Sequence, residues 1–268
     1  MQIPENDRVS IRDGEDGIAQ VRLTRPGKLN ALDPAMFDAL IAAGKALAGA
    51  RGLRAVVLAG EGRAFCAGLD LASFAGGSGP DAPDIAERTH GIANRFQQVA
   101  MQWRALPVPV IAALHGACFG GGLQIASGAD IRVAAPDARL AIMELKWGIV
   151  PDMGGFALWR SLVRDDVLRE LVYTNREVSG EDARELGLVT LVDPDPLARA
   201  NAIAQEIAGK NPHAVRKAKL LANRARELST AEILLEESLA QHELLFSNNQ
   251  LEAVASQMQG RKPKFSDP

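Results

Sequence analysis

The sequence predicts an α/β protein whose C-terminal part is all helix. Two short apolar runs, residues 55–59 and 110–114, read as strands covered on both faces. Helix-start signals alternate with them, beginning at Asp33-Pro34. From about residue 194 onward the strand signals stop and only helical patterns remain. These observations divide the chain into an α/β core over residues 1–193 and a helical region over 194–268.

Taken in order, residues 9–13 and 18–23 read as two strands parted by the turn signal Asp13-Gly14-Glu15-Asp16-Gly17. Asp33 caps, and Pro34 opens, a helix whose apolar positions Met36, Phe37, Leu40, Ile41 and Leu47 recur at helical spacing. The run AVVLA at 55–59 is the next strand, followed by a loop over 60–70. The Gly/Pro-rich stretch 75–83 predicts a mobile loop, placed as a lid over a site. Residues 84–104 read as a helix, and Pro107 and Pro109 lead into the strand at 110–114. A glycine turn, a second helix and a strand at 131–134 follow, an alternation that implies right-handed crossovers. Residues 153–164 read as a further helix, with Asp152 placed to cap it. In the C-terminal region, helices are expected at 196–209, 212–226, 230–246 and 249–258. The stripe Ile233, Leu234, Leu244, Leu245 and Phe246 reads as core or subunit interface.

Composition removes several classes of function. With 30 Lys and Arg against 33 Asp and Glu, the net charge of -3 lacks the basic footprint that nucleic-acid binding needs. A hydrophobic fraction of 47% rules out intrinsic disorder. Cys66 and Cys118 have no metal-ligand spacing, and four scattered histidines form no metal motif, so no metal is expected. The uncharged run 105–129 is long enough to span a bilayer, but Pro107, Pro109, His115, Gln124 and five glycines interrupt it, so no membrane partner is expected. The N-terminus shows no basic region followed by an apolar stretch, and the expectation is a cytoplasmic protein with reduced thiols.

The chemistry concentrates around residues 110–124. There a strand runs into Gly120-Gly121-Gly122, and these glycines open a helix. The first turn of a helix offers unpaired N–H groups, and glycine lets a ligand oxygen approach them closely. Such a turn holds a phosphate or an oxyanion, or else the glycines serve only tight packing. The dinucleotide fingerprint GxGxxG fails, because Ile125 stands where the third glycine belongs. That failure weakens a nicotinamide-dependent oxidoreductase, the reading a strand–glycine–helix unit would otherwise suggest. A second glycine feature, Gly62 to Asp70, follows the 55–59 strand and is placed to supply another N–H. Two donors from separate loops make an oxyanion hole.

The motifs GRAFCAGLDL and HGACFGGGLQIASGADIRVA, followed by MELKWGIVPDMGG, resemble those of the crotonase (enoyl-CoA hydratase/isomerase) superfamily. RPGKLNAL near the start, the helical SGEDARELGLVTLV and the ending LEAVASQMQGRKPKF fit the same resemblance, which spans about residues 8–266. It implies a crotonase-like spiral of ββα units with a helical C-terminal trimerisation region, in a homotrimer or a dimer of trimers. It also implies an acyl-CoA thioester substrate and no cofactor, because CoA is part of the substrate. By motif position, the oxyanion donors are the N–H groups of Leu69 and Gly121, with Ala67, Gly68 and Gly122 lining the substrate. Lys28, Arg25 and Arg63 are expected to face the CoA phosphates, with Lys262 reaching in from the C-terminal segment.

The acids bear on the reaction. The hydratases of the superfamily activate water with two glutamates; at the first position this chain carries Gln124, and at the second Glu144. An amide orients water but exchanges no proton at neutral pH. Asp152, eight positions after Glu144, stands where the superfamily's dienoyl-CoA isomerases place an acidic partner, although those enzymes also carry an acid at the Gln124 position. The expected catalytic set is therefore Glu144, Asp152 and Gln124. The expected reaction is enoyl- or dienoyl-CoA double-bond isomerisation, with hydration through Glu144 alone, or acyl-CoA binding without turnover, as alternatives. His115, Cys66, Cys118, Asp70 and Asp130 read as structural, and Trp147 and Trp159 as core.

Overall fold

A computed structural model describes residues 6–74 and 84–268. The chain begins with β1 (Val9–Asp13) and β2 (Ile18–Leu23), paired antiparallel with Val9 opposite Leu23. In α1 (Pro34–Ala48), Asp33 caps as expected, accepting the Met36 N–H at 2.8 Å. β3 (Ala55–Gly60) and the single turn α2 (Leu71–Phe74) follow. The lid expected at 75–83 lies outside the described residues.

The helix expected over 84–104 is shorter. α3 runs Arg95–Ala105, because Gly91 takes a left-handed φ of 66° and Asn94 starts the helix in a capping box with Gln97. Next come β4 (Val110–Leu114), β5 (Ala117–Phe119), α4 (Gly121–Ser127), β6 (Ile131–Ala134) and β7 (Arg139–Ala141). The expected helix over 153–164 reduces to α5 (Gly155–Trp159), opened by Gly154 at a φ of 89°, and α6 (Asp165–Thr174) starts afresh. β8 (Val178–Ser179), α7 (Gly180–Glu185) and β9 (Leu191–Val192) close the α/β part. The C-terminal helices α8 (Pro196–Ala208), α9 (Pro212–Arg224), α10 (Thr230–Leu244) and α11 (Asn248–Met258) lie where the sequence places them.

One sheet runs β1-β2-β3-β4-β6-β9, with every pair parallel except β1–β2. Alternate residues of its strands supply two cores, as the pleat requires. Val56, Leu58, Ala112 and Leu114 face α1, α3 and α4. Val57, Ala59, Ile111 and Ala113 face Ala200, Ile203 and Ala204 of α8. The sheet is thus covered on both sides, with α8 packed against one of them. A second, smaller sheet, β5-β7-β8, stands apart and carries the turn into α4. No helix among the described residues is long and apolar enough to cross a membrane.

Candidate active site

Residues 66–69 run as an extra strand between two neighbours. On one side the Leu32 N–H donates to Gly68 O at 2.8 Å, and the Asp70 N–H donates to Leu32 O at 2.9 Å. On the other side the Cys66 N–H donates to Ala117 O, and the Phe119 N–H to Cys66 O, each at 3.0 Å. In such a ladder the N–H of Leu69 points away from Leu32. Gly68 has a φ of 86°, and a Cβ there would stand 2.8 Å from Phe119 O and 3.6 Å from Gly121 N. Glycine at 68 therefore lets this loop close onto the start of α4. Gly122 is equally constrained, since its Cβ would meet Cys66 O at 2.5 Å. Among the described residues, neither the Leu69 nor the Gly121 N–H donates to a protein acceptor. Both residues line a cavity of about 290 Å³, together with Ala67, Gly68, Glu144 and Trp147.

Glu144 opens a short 3-10 turn (Glu144–Trp147) after β7 and is buried. Its Oε1 accepts a hydrogen bond from Gln124 Nε2 at 2.5 Å, whereas its Oε2 is buried with no partner among the described residues. Burial raises its pKa above the ordinary glutamate value, and the charge of Asp152 pushes the same way. The N–H groups of Glu144 and Met143 and the amide of Gln124 oppose the rise.

The Asp152 carboxyl is exposed in the single chain, yet the protein atoms crowding it raise its pKa as well. It does not cap α5; Gly154 holds the cap position with no side-chain hydrogen bond. Asp152 is outside the cavity lining but close enough to act on the charge of Glu144.

Gln124 is buried behind the cavity wall rather than in it. Its Oε1 accepts the N–H groups of Met153 and Gly155, each at 2.9 Å.

Of the expected substrate contacts, Ala67 and Gly68 line the cavity, whereas Gly122 packs behind it against Cys66. Lys28 is exposed on a short 3-10 turn and does not line the cavity. Lys262 lies in a separate cavity with Arg54 and Lys264. Arg25 is committed elsewhere: it pairs with Asp70 at 2.7 Å and Asp33 at 3.4 Å, which removes it from the expected phosphate contacts. Arg63 is exposed outside the lining. The structural readings of His115 and Asp70 hold, with His115 Nε2 at 2.9 Å from Gly62 O. Trp159 is core, its Nε1 donating to Ser127 Oγ at 2.8 Å. Trp147 is not: it is 53% exposed at the cavity, with Lys146 above its ring. Phe119, Met143, Ile149 and Glu177 also line the site without having been anticipated. The adjacent apolar residues Trp147 and Ile149 on either side of a glycine were the available signal.

The chain matches a family model described as enoyl-CoA hydratase/isomerase over residues 13–268. It is 33% identical over 260 residues to an Arabidopsis thaliana protein named Delta(3,5)-Delta(2,4)-dienoyl-CoA isomerase, peroxisomal, covering 94% of each chain. A human protein named Delta(3,5)-Delta(2,4)-dienoyl-CoA isomerase, mitochondrial, is 32% identical over 243 residues, covering 87% of this chain and 74% of that protein. Among solved structures, an enoyl-CoA hydratase from Bacillus anthracis superposes with a TM-score of 0.88 at 29% identity, covering 96% of this chain and 98% of the other.

Proposed function

The chain belongs to the enoyl-CoA hydratase/isomerase family of enzymes, and from that premise we propose that it isomerises the double bonds of enoyl- or dienoyl-CoA thioesters, with a 3,5-dienoyl-CoA as the preferred substrate. The thioester oxygen accepts hydrogen bonds from the N–H groups of Leu69 and Gly121. Those bonds strengthen as the oxygen gains charge, and one such donor contributes about 3 kcal/mol to the transition state. Glu144 takes a proton from C2, and the electron pair spreads over the conjugated enolate. Asp152 delivers a proton to C6. One C–H bond breaks and one forms, the double bonds move from 3,5 to 2,4, and no co-reactant is consumed. The next turnover needs the proton returned between the two acids or through solvent. Raised pKa values suit both acids to proton transfer near neutral pH.

The observation that carries this reading is the carboxyl of Glu144, buried beside two unpaired main-chain donors, with Oε2 unpartnered and a second acid near enough to raise its pKa. Hydration through Glu144 alone is the second reading, favoured by the intact glutamate. The burial of Gln124 behind the cavity wall weighs against it, since its amide does not line the space a water would occupy. We further propose a homotrimer or a dimer of trimers. The exposed Leu234, Leu235 and Leu239 of α10, and Phe246 in the turn after it, support such an assembly. A cytoplasmic location remains part of the proposal, supported by two buried free thiols suited to a reducing compartment.

The test offers purified protein 3,5-dienoyl-CoA and 2-enoyl-CoA in parallel. Formation of 2,4-dienoyl-CoA, lost in Asp152→Asn, is the expected result. Hydration alone, retained in Asp152→Asn, would replace isomerisation with the second reading. Tight binding of both without turnover would reduce the chain to an acyl-CoA binder.

A further inference from the structure

The carbonyl end of the Gln124 amide is fixed by main chain. Two N–H groups, from Met153 and Gly155, point at one atom of it from 2.9 Å, so that atom is the carbonyl oxygen. The other atom is then the NH2 group, and it faces Glu144 Oε1 at 2.5 Å. Gly155 makes this approach feasible, because a Cβ at that position would come within 2.8 Å of Gln124 Oε1. The Gln124 N–H in turn donates to Gly120 O at 3.0 Å, within the turn that holds the Gly121 donor. One buried side chain thereby joins the oxyanion turn, Glu144 and the loop that follows Asp152.

We propose that Gln124 is a positioning residue that reserves Oε1 of Glu144 as a permanent acceptor, makes Oε2 the only oxygen able to carry the moving proton, and holds the Asp152 loop at a fixed distance from it. A proton on Oε1 would confront the NH2 group of Gln124, whereas Oε2 has no hydrogen-bond partner among the described residues. The inference rests on the proton-shuttle reading of the site and assigns Gln124 a role distinct from contact with substrate. Because an amide never ionises in this range, the clamp holds whichever way the proton has moved.

Two variants separate its parts. Gln124→Glu keeps an oxygen for the Met153 and Gly155 N–H groups but sets a carboxylate against Glu144. Gln124→Leu removes the donor and the acceptor. The Glu144 carboxyl is followed by 13C NMR in glutamate-labelled protein, its signal identified by its loss in Glu144→Gln. The charged groups around it are Asp152, and Lys146 and Glu177 on the cavity wall.

In both variants Glu144 should titrate at higher pH than in the wild type, because the N–H that favoured its ionised form is gone. Turnover of dienoyl-CoA should fall about tenfold or more with KM unchanged, and the acid limb of kcat/KM should move to higher pH. Gln124→Glu should keep the wild-type melting temperature at a pH where it is ionised, and Gln124→Leu should not. An unmoved Glu144 titration in Gln124→Glu would overturn the proposal, as would wild-type kcat in either variant. Should the wild type fail to turn over dienoyl-CoA, the reaction assignment falls while the Glu144 titration still judges the clamp.

Discussion

The ammonium of Lys219 stands 2.7 Å from Oδ2 of Asp130, and the same oxygen accepts the Val110 N–H at 2.7 Å. Lys219 also donates to Trp103 O at 3.0 Å and Val108 O at 2.8 Å, and its side chain is only 5% exposed. A lysine of α9 is thus buried at the entrance to β4 and fastened to the residue where α4 gives way to β6. Lys219→Met leaves Asp130 without its counter-charge and two carbonyls without a donor. A loss of about 3 kcal/mol is expected in urea unfolding. An unchanged midpoint would mean that water replaces the ammonium at no cost.

Glu144→Gln should abolish most turnover, by about 10²- to 10⁴-fold, while leaving the fold intact. Stability should move the other way. The folded-state pKa of Glu144 is raised, so the folded protein holds that proton at pH values where the unfolded chain has released it. Wild-type stability therefore falls as pH rises through the folded pKa. Glutamine removes that loss, so the variant should melt higher than the wild type at neutral pH. The advantage should vanish below the unfolded glutamate pKa. Equal melting temperatures at neutral pH would show the buried carboxylate to be fully compensated.

Gly68→Ala combines a left-handed φ of 86° with a Cβ 2.8 Å from Phe119 O. Relief of either strain moves the Leu69 N–H away from the Gly121 N–H. The expected result is a fall in kcat of about 10²-fold, with a stability loss of about 1–3 kcal/mol. A loss of stability without a fall in kcat would detach Leu69 from the oxyanion site.

The two cysteines should resist modification in the native protein. Burial pushes the Cys66 thiol up to about 12, and Cys118 is raised by burial and by Cys66 beside it. Neither has an appreciable thiolate fraction at neutral pH. Titration with an aromatic disulfide reagent should register both thiols only when denaturant is added; prompt reaction of one in buffer would contradict the packing.

The parts of the fold visible in the sequence were those with local signatures. Asp33-Pro34 announces α1, and the unbroken apolar runs announce β3 and β4 as covered strands. β5, β7 and β8 were not visible, since segments of two or three residues hold no periodicity and exist only through pairing partners far along the chain. The start of α3 was overrun because apolar spacing does not register a glycine at positive φ, although Asn94 and Gln97 stand at capping-box spacing. At the site, motif position singled out Leu69 and Gly121, which line one cavity. The bonds that define Gln124 reach 20 to 31 positions along the chain, and the partner of Arg25 lies 45 positions away, so both roles depended on tertiary structure.

The hydrogen-bond donors at Leu69 and Gly121 belong to the polypeptide itself. Genetic drift at position 69 can exchange the leucine without deleting its N–H, proline excepted. In the proposed mechanism the charge-stabilising half of the machinery is thereby insulated from most mutations, while the acids can be gained, lost or swapped singly. On that mechanism, a lineage with this scaffold can change its catalytic repertoire through a few carboxyl and amide replacements, without rebuilding the proposed thioester site.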